Sequence, residues 1–282
     1  FDIVTDPRCK ISSLAISRGH CINDDRVNRL ATTLVNNANM KELEIGAWNY
    51  VTSEGWKSLA LPLQSALCEL EALTIRGNVR LNDDVALSFA NALATNCTTL
   101  KELNLDGSGL TTAGFRAFTR ALQNPESSLE VLVLTGHVSI DEETANSLAY
   151  ALVNNVKLRW LLFSVRPNIV RSVMREDVFL QLLCNKSSIR DTYLSNHTLT
   201  MIGSSDISRN GLAFSSAVRS MLELNDNNTP PSAARLKIIQ THFSTLDISP
   251  FHVMDEKMFP HVISWMARDD HGLSLLFCFL QS

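Results

Sequence analysis

At 282 residues, with 45% hydrophobic and 19% charged positions, the chain has the composition of a folded, water-soluble protein rather than a disordered one. A formal charge of −4 and a pI near 6.0 give no electrostatic reason to expect nucleic acid or an anionic membrane surface as the main partner. The longest apolar run, LSLLFCFL near the end, is far too short to cross a bilayer, so no membrane insertion is expected.

The first ten residues, FDIVTDPRCK, are too short to cover a hydrophobic edge and read as the remnant of an upstream segment, residues 1–10, of a longer chain. From Ile11 onward a pattern of three apolar positions at i, i+3 and i+5 begins to recur. It falls at Ile11/Leu14/Ile16, Met40/Leu43/Ile45, Leu70/Leu73/Ile75, Leu100/Leu103/Leu105, Leu129/Leu132/Leu134 and Leu158/Leu161/Phe163. A degraded seventh copy, Ile189/Thr192/Leu194, follows, and successive copies lie 29–31 residues apart. Repetition at a fixed period of this length signals a stacked array. The last two positions of each copy are two residues apart, as Leu103 and Leu105 are on either side of Asn104, so they share one face of a short strand.

The second half of each unit changes period. A pair four residues apart recurs at Leu30/Leu34, Leu59/Leu63, Phe89/Leu93, Phe118/Leu122, Leu148/Leu152 and Phe179/Leu183, which stacks two side chains on one helical face. Acidic pairs mark the helix starts, Asp24–Asp25 and Asp83–Asp84 among them, and capping accounts for them there. Asparagines follow the helices (Asn36, Asn96, Asn124, Asn154, Asn185), where a left-handed C-terminal cap is tolerated. Pro62 falls inside the second helix and should kink or shorten it. Each unit is therefore strand, turn, helix, turn, and right-handed crossovers place parallel strands on the inside of a curve with helices outside. At 225–232, NDNNTPPS interrupts the array; beyond it two or three short amphipathic helices, residues 229–282, read as a C-terminal cap.

The run LKELNLDGSGLTTAGFRAFTRAL, 100–122, resembles a leucine-rich repeat of the ribonuclease-inhibitor-like class, and the likeness covers roughly residues 11–228. It implies an α/β right-handed solenoid, a horseshoe with a parallel concave sheet and convex helices. One departure is the position after the strand, usually Asn or Cys: it is Asn78 in one unit but Gly19, Trp48, Ser108, His137, Arg166 and His197 in the others. The tail LKIIQTHF…FPHVISWMARDDHGLSLLFCFL resembles one that follows such repeats in algal leucine-rich repeat proteins.

Catalytic signatures are missing from the sequence: there is no GxxxxGK, HExxH or GxSxG. Six cysteines are scattered without a CxxC pair, as reduced thiols of an intracellular, cytoplasmic protein would be. His252 and His261 have no partner at ligand spacing and read as cap residues rather than a metal site. No enzymatic activity, metal or cofactor is expected.

Residues between the core positions of each strand face the concave surface. In the fifth and sixth units these are Val131, Val133, Trp160 and Leu162, an apolar patch where water is expected. Glu102 and Asp106 on one side, with Asp191 and Tyr193 on the other, would form a polar rim. Two readings stand side by side: a Trp-centred interaction site, or side chains that cover one another or lie under another segment. Trp48 and Tyr50 form a second apolar pair, read as packing. The expected function is non-enzymatic recognition or scaffolding of another protein, alone or as a subunit of a larger complex; the resemblance also allows a regulator of a GTPase that acts by positioning.

Overall fold

Leu103 and Leu105 leave their strand on the same side and are fully buried, as are Leu43, Ile45, Leu73, Ile75, Leu132, Leu134, Leu161 and Phe163 at the equivalent places. The computed structural model describes residues 10–18, 22–78, 80–95, 99–124, 126–134, 142–163, 176–203 and 215–242. Within them, seven strands form one sheet in strict chain order: β1 (Ser13–Arg18), β2 (Glu42–Ala47), β3 (Ala72–Ile75), β4 (Glu102–Asn104), β5 (Val131–Leu134), β6 (Trp160–Phe163) and β7 (Met201–Gly203). Every neighbouring pair is parallel. The fold is α/β, with the sequential strand order of a solenoid.

The connecting helices are α1 (Asp24–Val35), α2 (Ser53–Ser58), α3 (Asp83–Thr95), α4 (Thr112–Gln123), α5 (Glu142–Val153) and α6 (Glu176–Leu183). All six predicted four-spaced pairs are buried, from Leu30/Leu34 to Phe179/Leu183. One hydrophobic core therefore runs between the sheet and the helices from Ile22 to Leu222. At the first edge, Ile11, Leu14 and Ile16 are only partly buried, because no preceding unit covers them among the described residues. Pro62 does what its missing donor dictates: α2 stops after six residues and Pro62 opens a separate 3-10 turn, Pro62–Gln64. Gly77 (φ 67°) and Gly107 (φ 70°) turn the chain after β3 and β4, and a Cβ on Gly107 would sit 3.1 Å from the Gly77 backbone.

The seventh unit departs from expectation. Residues Ile189–Tyr193 form a short helix, α7, capped by Ser188, whose hydroxyl accepts from the Asp191 amide at 3.0 Å. The strand of this unit is instead β7, led by the buried Leu199 and Ile202. Beyond it lie α8 (Ser216–Asn227) and α9 (Pro230–His242). The two prolines of TPPS do not stop a helix but start one, since the first helical turn leaves its amides without intrahelical partners anyway. The expected cap residues after His242 lie outside the described residues.

Two further expectations change. Asn36 (φ −114°) and Asn124 (φ −69°) are not left-handed caps. The Asn124 amide instead donates to Leu93 O of the preceding unit at 3.1 Å, and Asn155 donates likewise to Leu122 O at 2.8 Å. The acidic pairs do not cap their own helices, because Asn23 and Asn82 do that. Asp24 accepts from the Thr52 amide and hydroxyl of the next unit (2.7 and 2.6 Å), and Asp83 accepts from Thr111 in the same way.

Candidate recognition face

Strand register lines up the side chains that point away from the helices into two rows. The first runs Ser13, Glu42, Ala72, Glu102, Val131, Trp160 and Met201; the second runs Ala15, Glu44, Thr74, Asn104, Val133, Leu162 and Gly203. The rows differ in access. In the second, Thr74 (8% exposed), Val133 (6%) and Leu162 (9%) are buried. In the first, Trp160 is 41% exposed, and Val131 and Met201 on either side are half-buried.

Of the predicted patch, then, Val131 and Trp160 are accessible, whereas Val133 and Leu162 are covered. The covered reading applies to Val133 and Leu162. Glu102 is half-buried in the first row, two strands from Trp160. Asp106 lies past the end of β4 in the turn, where its amide donates to the Asn104 side chain at 3.1 Å. Tyr193 and Asp191 are not strand residues at all: Tyr193 ends α7, where its carbonyl pairs with His197 Nε2 at 3.1 Å, and Asp191 accepts from the Ser188 hydroxyl at 2.7 Å. The sheet neighbour of Trp160 on that side is Met201, which sequence reasoning missed because it placed the seventh strand ten residues too early.

Charge on this side of the sheet divides into a neutralised line and an open one. Just ahead of the strands, Lys41 bridges Glu69 (2.9 Å) and Glu71 (3.3 Å), and Lys101 meets Glu71 at 2.6 Å. The hydrogen bond from Lys101 and then that from Lys41 hold the Glu71 carboxyl below its usual range, and Glu69 raises the Lys41 ammonium. On the rows themselves, Glu44 lies 3.8 Å from Arg76. Glu42 accepts only the Ser13 hydroxyl, at 2.9 Å, and among the described residues no cation pairs with Glu42 or Glu102.

The second apolar pair splits. Trp48 is 1% exposed and stacks on Trp56 at 5.7 Å, as a packing residue should, while Tyr50 is 64% exposed. No group of three His, Cys, Asp or Glu side chains among the described residues could hold a metal ion, and His252 and His261 lie outside them. Cys68 and Cys184 are free and buried, and burial pushes the Cys68 thiol up. Among the described residues no helix is long and apolar enough to cross a membrane.

No family model matches the chain. It is similar to "NACHT, LRR and PYD domains-containing protein 5" of Mus musculus, at 29% identity over 161 residues, covering 57% of this chain and 13% of that protein. It is also similar to "NACHT, LRR and PYD domains-containing protein 14" of Mus musculus, at 26% identity over 240 residues, covering 83% of this chain and 22% of that protein. The chain thus spans less than a quarter of the length of these relatives. A solved structure, "Leiomodin-1 Actin-Binding Site 2 (ABS2)", matches over 86% of this chain and 93% of its own with 17% identity, but a TM-score of 0.34 is too low to carry an argument. The distant likeness to two LRR-containing proteins supports repeats of the leucine-rich type and, with them, a protein-interaction module.

Proposed function

We propose that this chain is a non-enzymatic recognition module that holds another protein on the open row of its sheet, with Trp160 as the anchor. The observation that carries the reading is the exposure of Trp160, 41%, on β6, where the neighbouring second-row side chains Val133 and Leu162 are buried. A large aromatic left accessible between two apolar neighbours is the kind of side chain that dominates binding energy at interfaces. Together with the sequential parallel strands, this supports the horseshoe, with the sheet on the inside and residues 229–282 closing its end. The first helix of that closing segment, α9, packs against α7 and α8. Nothing among the described residues favours the GTPase-regulating alternative over simple recognition.

The test is site-specific photocrosslinking. A benzophenone side chain at position 160 is compared with one at position 150, where Tyr150 is 75% exposed on helix α5. Partner proteins should become attached at 160 and not at 150. Attachment at 150 alone would move recognition to the helical side.

A further inference from the structure

The geometry points to the kind of partner: an extended segment carrying two basic side chains followed by one apolar side chain, spaced to meet Glu42, Glu102 and Trp160 in turn. This rests on the sheet-face reading above and adds to it the chemistry of the ligand. The three residues share one row of the register, Glu42↔Ala72↔Glu102↔Val131↔Trp160, so each is two strands from the next. Adjacent strands lie about 4.8 Å apart, which puts successive contacts about 10 Å apart. An extended chain advances about 3.3 Å per residue, so every third residue of a segment crossing the strands reaches the next contact. The pattern is Lys/Arg-x-x-Lys/Arg-x-x-Phe/Leu.

Three features fix the chemistry. The carboxylates of Glu42 and Glu102 have no cation among the described residues, whereas the Glu69–Lys41–Glu71–Lys101 line beside them is neutralised internally and Glu44 has Arg76. Two uncompensated anions on an accessible row favour a cationic partner and disfavour an acidic one. Small Ala72 lies between the two carboxylates and Val131 between Glu102 and Trp160, so the path between contacts is not blocked by a long side chain. Finally, with Thr74, Val133 and Leu162 buried in the second row, the accessible track is one row wide on β3, β5 and β6. That suits a single extended chain better than a helix, whose side chains span about 10–12 Å.

The experiment uses the intact chain and four fluorescein-labelled peptides: Lys-Ser-Ser-Lys-Ser-Ser-Phe, its Lys-to-Glu version, its Phe-to-Ser version, and one with the spacers lengthened by a residue. Binding is read by fluorescence anisotropy at low and high salt, against the wild type and the variants Glu102→Lys and Trp160→Ser, each checked by thermal melt. The first peptide should bind at least tenfold more tightly than the other three and weaken with salt. Glu102→Lys should narrow or invert the preference for Lys over Glu, and Trp160→Ser should remove the advantage of Phe over Ser. If the Glu or respaced peptide binds as well as the first but Trp160→Ser still releases it, the cationic pattern is wrong while the sheet face stands. If no peptide's binding depends on Trp160, a second copy or the chain's own segments are the better occupants, and both readings fall.

Discussion

The two poles of the helices tie each repeat to its neighbour in different ways. At helix starts the ties run from Asp24 to Thr52, from Asp83 to Thr111, and from Arg116 to Thr144 and Glu143 at 2.7 and 2.8 Å. At helix ends the Ser65 hydroxyl donates to Val35 O at 2.7 Å, and from the third unit onward the ties form a ladder. There the carbonyls of Leu93, Leu122 and Leu152, each the second member of a core pair, accept from Asn124, Asn155 and Asn196 of the next unit. The same position on α6, Leu183 O, is served by Lys237 Nζ at 2.7 Å. An ammonium on α9 thus continues the ladder that amides make along the array. The difference has an energetic meaning. The helix-start ties of Asp24 and Asp83 are solvent-accessible and lose little when cut, while the helix-end ties of Asn155 and Asn196 are buried, so cutting one leaves carbonyls unsatisfied in the core.

The sharpest break in that comparison is at Asn196. Its amide donates to Leu152 O (2.7 Å) and Asn155 O (3.0 Å), and its oxygen accepts from the Thr198 and Leu199 amides. Asn196→Ala should lower stability by about 3 kcal/mol, because a buried site loses two donated and two accepted hydrogen bonds together. A urea midpoint that implies less than about 1 kcal/mol would show that water replaces the amide and that the ladder is ornamental.

Lys237 sharpens it through pH. The side chain is fully buried and its Nζ also donates to Asn196 O at 3.2 Å. Burial pushes the ammonium from 10.5 down to about 7, with Cys184 opposing weakly; the other titratable side chain coupled to it is His197. The charged residues on the two helices packed against α9 are Arg190 and Asp191 on α7 and Arg219, Glu223 and Asp226 on α8. The folded chain releases this proton first, so between pH 7 and 10.5 the unfolded chain holds more protons and stability rises with pH; below 7 the contribution is flat. His197, pushed by burial and then by Lys237 to about 4 from 6.5, has the same sign: stability rises between pH 4 and 6.5. From pH 7 to about 9 the gain from Lys237 should be about 2 kcal/mol. Lys237→Met should abolish that slope while leaving the His197 limb in place. An unchanged slope in the variant would assign it to other groups.

At the opposite pole, Asp83→Ala should cost about 1 kcal/mol, since Asp83 is half-exposed and the Thr111 hydroxyl and amide can turn to water. Combined with Asp24→Ala, two units away, the costs should add. A loss from Asp83→Ala equal to that from Asn196→Ala would erase the distinction between the two poles.

How legible these features were depended on whether they follow the period. The strands β1–β6 and their helices were readable because leucine spacing records both the strand face and the helix face. The seventh strand was not, because α7 lengthens that unit and Ile189/Thr192/Leu194 happens to imitate the pattern at the expected distance. A finer signal was present: Asn37 precedes Met40, Asn155 precedes Leu158 and Asn196 precedes Leu199 by three residues, each oxygen accepting from the amide of that residue. Lys186, three before Ile189, cannot do this, because an ammonium accepts no hydrogen bond. On the recognition face, alternation identified Trp160 and Glu102 but could not tell the open row from the closed one. That depends on which side chains the rest of the chain covers, and no local pattern encodes it.

The smallest expected effect on stability belongs to the residue with the largest proposed role. Trp160→Ser removes an aromatic that is 41% exposed and lies in neither the buried core nor any ladder. Its unfolding free energy should stay within about 0.5 kcal/mol of the wild type. Leu161→Ala, one residue along and fully buried, should cost about 3 kcal/mol. Adjacent positions on β6 would then separate cleanly into one that holds the fold and one left free for a partner. If Trp160→Ser instead melts as early as Leu161→Ala, the indole is structural, its exposure is incidental, and recognition must be sought on the helical side of the array.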